Sequence, residues 1–143
     1  LILHFSIRRI GASTPELPTE LAPRMAERGH GAIVNVTTMV ATFGMAGMAL
    51  YGSSKAALQL LTRSWAAEFG PSGVRVNTVS PGPTRTEGTT PMGHNLDNLA
   101  ATAPLNRVAT AAEIAAGIVF LASDAAAMVH GAVLPIDGGR LAV

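Results

Sequence analysis

The sequence predicts an α/β protein, a partial doubly wound parallel sheet of three strands with helices on its faces. Three observations predict it. Helix-like and strand-like stretches alternate along the chain, helix first. The strand-like runs are continuously apolar, as in a sheet covered on both sides. Each of these runs also ends in a turn rich in Thr, Ser or Gly, which places three such turns on the carboxyl edge where parallel sheets bind ligands.

Residues 1–13 show no period and receive no assignment. "PELPTELAPRMAERG" (residues 15–29) has helical composition, with Leu17, Leu21 and Met25 four apart and Gly29 as its stop; Pro18 and Pro23 weaken its first half. "AIVNV" (residues 32–36) is a short β-branched run between Gly31 and the pair Thr37-Thr38, and reads as a buried strand. A long helix is predicted from about Leu50 to Phe69. Leu58, Leu61 and Trp65 form its apolar stripe, and Gly70-Pro71 ends it.

"VRVNTV" (residues 74–79) is the second strand, broken by "SPGPT". The stretch from Arg85 to about Asn106 reads as a long loop with one short helix near residues 95–102. "AAEIAAGIVFLAS" (residues 111–123) is the third helix, opened by Thr110 with Glu113 three residues later, a capping box. "AVLPID" (residues 132–137) is the third strand, ended by Gly138-Gly139. Successive right-handed crossovers place the three strands side by side.

Composition removes several classes of function. With no Cys there is no disulfide framework, thiolate nucleophile or Cys-based zinc site, and the four His stand far apart, so no metal site is predicted. A net charge of +1 with scattered Arg gives no footprint for nucleic acid; Arg8-Arg9 is the most basic short stretch. The longest apolar run, "MVATFGMAGMALYG", falls short of the about 18 residues a membrane span needs and contains three Gly. A soluble, cytoplasmic protein is expected.

The chain holds one Tyr and one Lys, and "ALYGSSKAA" (residues 49–57) contains both, Tyr51 and Lys55. Residues four apart on a helix share a face. An ammonium beside a phenol stabilises the phenolate, which makes an acid/base able to exchange a proton with an oxygen closer to neutral pH. A hydroxyl at Thr38 could donate a hydrogen bond to that same oxygen. The spacing alone is a weak signal and favours an interfacial Tyr beside a solvated Lys.

The surrounding sequence resembles the C-terminal half of the short-chain dehydrogenase/reductase family, whose domain is Rossmann-like. "GAIVNVTTMVATFGMAGMALYGSSKAALQLLTRSWAAEFGPSGVRVNTVSPGPTRT" is similar to the family's run from its fifth strand to the loop after its sixth. "APLNRVATAAEIAAGIVFLASDAAAMVHGAVLPIDGG" is similar to its C-terminal segment. By this resemblance Tyr51 is the catalytic acid/base, and Lys55 binds the nicotinamide ribose and favours the phenolate. Thr38, thirteen residues before the Tyr, stands where the family places a substrate-positioning Ser. Pro81 and Gly82 match the Pro-Gly motif beside the nicotinamide, and Thr84 and Thr86 match the positions that hold its carboxamide. The resemblance implies NAD or NADP without choosing between them, a small carbonyl or alcohol substrate, and dimers or tetramers paired through the Tyr51 helix. Asp137-Gly138-Gly139 reads as a structural turn, His94 as a solvated loop residue, and Trp65 and Met25 as packing.

The family's other half is not found in this sequence. There is no Gly-rich turn to cradle a pyrophosphate, and the position of the family's helical Asn falls near Gly11, with no Asn before residue 35. The expected organisation is therefore an atypical segment, residues 1–14, followed by residues 15–143 as the C-terminal half of a dinucleotide-binding domain. The "AIVNV" strand is then expected to show an unpaired apolar edge. Two main functional readings follow, an oxidoreductase with a Tyr-Lys-Thr proton-transfer site, or a catalytically inactive, truncated member that only oligomerises. A small binding module for another ligand is a third.

Overall fold

The computed structural model describes residues 2–3 and 16–143. Strand β1 (Ile2–Leu3) is followed by helix α1 (Glu16–Glu27), β2 (Gly31–Val36), α2 (Ala49–Phe69), β3 (Val74–Pro81) and β4 (Thr84–Arg85). Next come α3 (His94–Ala100), β5 (Ala109–Thr110), α4 (Ala111–Ala122) and β6 (Val133–Ile136). The main sheet is parallel throughout, in the order β1-β2-β3-β6. The β2-β3-β6 neighbours are those the crossover rule predicts. A separate parallel pair, β4-β5, stands beyond the carboxyl edge.

The sheet is doubly wound because its strands bury both faces. Ile33, Val74 and Val76 point to one side, where Ala22 of α1 and Leu58, Trp65 and Ala66 of α2 close the core. Val34 and Val79 point to the other, against Leu121 of α4 and Ala126. Neighbouring β2 residues thus go to opposite faces, as strand geometry requires. Trp65 is the largest contributor to the α2 side, and truncating such a residue costs about 3–5 kcal/mol.

Polar side chains fix the helices to the sheet. Thr62 Oγ1 accepts from Asn35 Nδ2 (2.8 Å) and Thr78 Oγ1 (2.9 Å) and donates to the Leu58 carbonyl (2.9 Å), so one hydroxyl joins β2, β3 and α2 inside the core. On the opposite side Arg75 donates to the Leu121 and Ser123 carbonyls at the end of α4. His130 Nδ1 accepts from the Val76 amide, which leaves the hydrogen on Nε2 for the Ala66 carbonyl 2.7 Å away. The Thr110–Glu113 capping box forms as the sequence predicts.

Four expectations need correction. The "AIVNV" strand is not bare at its edge, because β1 pairs with it in register Ile2↔Val34 and Leu3↔Asn35. A two-residue strand is too short to show a period. β3 continues to Pro81, since a Pro that ends a strand need not donate to the ladder. The loop from Arg85 to Asn106 contains a 3-10 turn (Glu87–Met92) as well as α3, which begins at His94. Finally, the Leu58–Trp65 stripe of the helix expected to pair subunits packs against the sheet inside the chain; the exposed leucines of α2 are Leu50 and Leu60. The readings placed on residue 1 and residues 4–15, among them the atypical segment, Arg8-Arg9 and the Gly11 position, lie outside the described residues.

Candidate active site

β3 and β6 end level with one another and two residues beyond β2, and short bonds bind the three exits together. The Thr37 amide donates to the Val79 carbonyl (2.9 Å), and the Gly82 amide donates to the Ile136 carbonyl (3.0 Å). Gly82 is required there by space, since a Cβ would stand 2.8 Å from Asp137 Cα. The Asp137 carboxylate accepts from the amides of Gly139 (2.9 Å) and Leu141 (3.0 Å). Asp137-Gly138-Gly139 is the structural turn the sequence suggests.

Above these exits lies a cavity of about 460 Å³. All seven predicted site residues line it: Thr38, Tyr51, Lys55, Pro81, Gly82, Thr84 and Thr86. They come from the exits of β2 and β3, the head of α2, and β4 with its flank. His94 is exposed and does not line the cavity.

Tyr51 is in the first turn of α2 and 47% exposed, with its side chain on the cavity wall. Lys55, one turn further, is buried, and its Nζ donates to the Val36 carbonyl at 3.1 Å. Burial lowers the Lys55 pKa from its ordinary value because the ammonium loses water. Gln59, a further turn along, donates to Thr37 Oγ1 (3.3 Å), so successive turns of α2 hold the end of β2.

Thr38 is in extended backbone and precedes the 3-10 turn Met39–Ala41, yet its side chain makes no capping bond to that turn. Its hydroxyl is thus not committed to the local fold there. The other threonines differ. Thr84 Oγ1 donates to the Gly82 carbonyl (2.9 Å), and the Thr86 amide donates to Thr89 Oγ1 (2.9 Å) in a capping box that opens the 87–92 turn. Both are tied into the local fold, which fixes the backbone groups they carry.

Sequence reasoning missed the apolar wall. Met39, Met45, Met48, Met92, Leu96 and Leu99 line the same cavity. A signal was present, because four of the chain's six Met fall in residues 39–92 around Tyr51. The run "MVATFGMAGMALYG" alone carries three of them; among the described residues no helix is long and apolar enough to cross a membrane.

Comparison with known proteins agrees with this architecture. A family model described as enoyl-(acyl carrier protein) reductase matches residues 12–140. The chain is 43% identical over 124 residues to cis-4-hydroxycyclohexanecarboxylate dehydrogenase of Sinomonas cyclohexanicum, a match covering 83% of this chain and 48% of that one. Among solved structures, a short-chain dehydrogenase/reductase family protein superposes with a TM-score of 0.84 at 52% identity, over 90% of this chain and 53% of that one. A gluconate 5-dehydrogenase from Burkholderia cenocepacia, in complex with NADP and tartrate, gives a TM-score of 0.86 at 26% identity, over 99% of this chain and 65% of that one. The chain belongs to the short-chain dehydrogenase/reductase family of oxidoreductases. It spans about half the length of the curated relatives it matches.

Proposed function

We propose that residues 15–143 act as the catalytic C-terminal half of an NAD(P)-dependent dehydrogenase/reductase, with Ile2–Leu3 adding an edge strand to its sheet. The chemistry interconverts a carbonyl and an alcohol on a small molecule. The observation that carries this reading is the single cavity lined by Thr38, Tyr51, Lys55, Pro81, Gly82, Thr84 and Thr86.

A nicotinamide ring would be held by Val36, Pro81 and Gly82 of that cavity. Val36 and Pro81 would offer the ring flat apolar walls, and the Thr84 and Thr86 carbonyls, ordered by Thr89 Oγ1, would offer acceptors to its carboxamide, whereas the Thr86 amide already donates to Thr89 Oγ1. When bound, the cofactor supplies or takes the hydride. In the reducing direction, the Tyr51 hydroxyl gives its proton to the carbonyl oxygen as negative charge develops there. In the oxidising direction, the Tyr51 phenolate takes the proton of the alcohol. Thr38 Oγ1 donates a hydrogen bond to that oxygen in both directions and sets the face it presents. The buried Lys55 ammonium steadies the phenolate electrostatically and offers donors to the ribose.

The test is turnover of a ketone or secondary alcohol panel with both NAD(H) and NADP(H). Tyr51→Phe should abolish turnover while leaving cofactor fluorescence enhancement in place. A folded chain that enhances neither NADH nor NADPH fluorescence at millimolar concentration overturns the enzymatic reading. A second reading, an inactive member that only self-associates, is favoured by the exposed Leu50 and Leu60 on α2. It predicts an oligomer that Leu60→Arg dissociates, with no turnover in either state.

A further inference from the structure

We infer that this cavity selects an uncharged, largely hydrocarbon ketone or secondary alcohol, and that Met45, Met48 and Met92 form the wall that selects it. The inference rests on the reading of Thr38 and Tyr51 as the groups that meet the reacting oxygen.

Three features of the lining support it. First, the wall facing Tyr51 and Thr38 is built of thioether and aliphatic side chains, Met39, Met45, Met48, Met92, Leu96 and Leu99. Second, among the described residues Lys55 is the only charged one in the lining, and it is buried with its Nζ on the Val36 carbonyl. Among the described residues, no guanidinium, imidazole or carboxylate lines the cavity to pair with a charge on the substrate. A carboxylate or phosphate brought against the Met wall would lose its water without a partner, a cost of several kcal/mol. Third, the hydroxyls of Thr84 and Thr89 already donate to local carbonyls, so they have no donor left for a polyol. Each unpaired substrate hydroxyl would cost about 1–3 kcal/mol.

The type of wall sets the breadth of selection. Met is unbranched and polarizable, and it repacks around different outlines. The cavity therefore discriminates by polarity far more than by shape. Ring and chain hydrocarbons carrying one oxygen belong to the accepted class. Sugar acids, phosphorylated sugars and polyols do not.

Methionine methyl NMR tests this directly, because the two remaining methionines are internal controls. Met25 packs against the α2-side core and Met128 is exposed, and neither lines the cavity. Protein labelled at the Met methyls is titrated with 1-tetralone, gluconate and threitol. The expected result is saturable shifts of Met39, Met45, Met48 and Met92 with 1-tetralone, none at Met25 or Met128, and no shifts with the other two compounds. The inference is overturned if gluconate or threitol moves the four signals, if 1-tetralone moves none, or if it moves all six alike. Parallel turnover assays separate the two readings. Faster turnover of gluconate than of the 1-tetralone/1-tetralol pair would sink the substrate class and leave the dehydrogenase standing. Saturable 1-tetralone shifts without turnover of any compound would sink the dehydrogenase and leave the ligand class in place.

Discussion

Gly52 turns a bare Cα toward the main chain of Val40, where a Cβ would stand 2.7 Å from the carbonyl oxygen. Two backbones therefore touch, that of α2 next to Tyr51 and that of the turn that follows Thr38. Gly52→Ala is expected to force α2 and the Met39–Ala41 turn apart. Overpacking costs about 1–3 kcal/mol, offset by up to about 1 kcal/mol of helix propensity, so a net loss of about 1–2 kcal/mol is expected. Urea unfolding reads it, together with shifts of the Met45 and Met48 methyls. An unchanged midpoint with unchanged methyl signals would remove Gly52 from this role.

Thr38 separates a hydroxyl requirement from a shape requirement. Its side chain makes no capping bond to the following turn, so Thr38→Val should leave the fold near its wild-type stability. Loss of a donor to the reacting oxygen is expected to lower kcat about 10²–10³-fold, and Thr38→Ser should retain activity. Equal activity of the Val and Ser variants would show that the hydroxyl has no part in the reaction.

Thr62 is the hub of the buried polar network. Thr62→Val keeps the shape but strands donors at Asn35 and Thr78, each fully buried. An unpaired buried donor costs about 1–3 kcal/mol, so the variant should lose about 2–4 kcal/mol in urea unfolding. A loss below about 1 kcal/mol would mean the two donors find other partners.

Glu113 gives an acid-range signature. Its hydrogen bonds to Arg107, then to the Thr110 amide and hydroxyl, lower its pKa from 4.5 to about 2. The folded value is the lower one, so the stabilisation is complete above 4.5 and is lost as pH falls from there through about 2. The stability difference between wild type and Glu113→Gln should be level near neutral pH and shrink across that window. A difference that stays constant down to the acid limit would contradict the pairing.

Lys55 gives the opposite signature at alkaline pH. Burial lowers its folded-state pKa below the ordinary 10.5. Between those two values the unfolded chain binds the proton that the native chain has released, so wild-type stability rises with pH there. Relative to Lys55→Met, the wild type should gain stability across that window and level off above it. A difference that falls with pH would show that the ammonium is stabilised where it sits.

Long, periodic elements were legible in the sequence. The α2 helix was expected from about Leu50 and starts at Ala49, and the Thr110–Glu113 cap was readable because both partners are local. The 87–92 turn was not, because Thr hydroxyls hold it rather than a hydrophobic period. The stripe containing Leu58 and Trp65 was read correctly as apolar, but an apolar stripe does not say whether a sheet or a second subunit will cover it. For the candidate site, spacing brought out Tyr51 and Lys55 as a pair. The burial of Lys55 and the convergence of Met45, Met48 and Met92 on one cavity are three-dimensional facts with no local signature.

The Met wall belongs to neither core cluster. Met45 and Met48 come from the segment between β2 and α2, and Met92 from the turn before α3, whereas the packing that holds the sheet together comes from β2, β3, α2 and α4. The frame that carries Tyr51 and Lys55 and the Met lining of the cavity are thus separate parts. Such a chamber can be relined by changing a few half-buried side chains, without solving the folding problem again. New substrate preferences become accessible on an unchanged chassis, to selection as to the protein engineer.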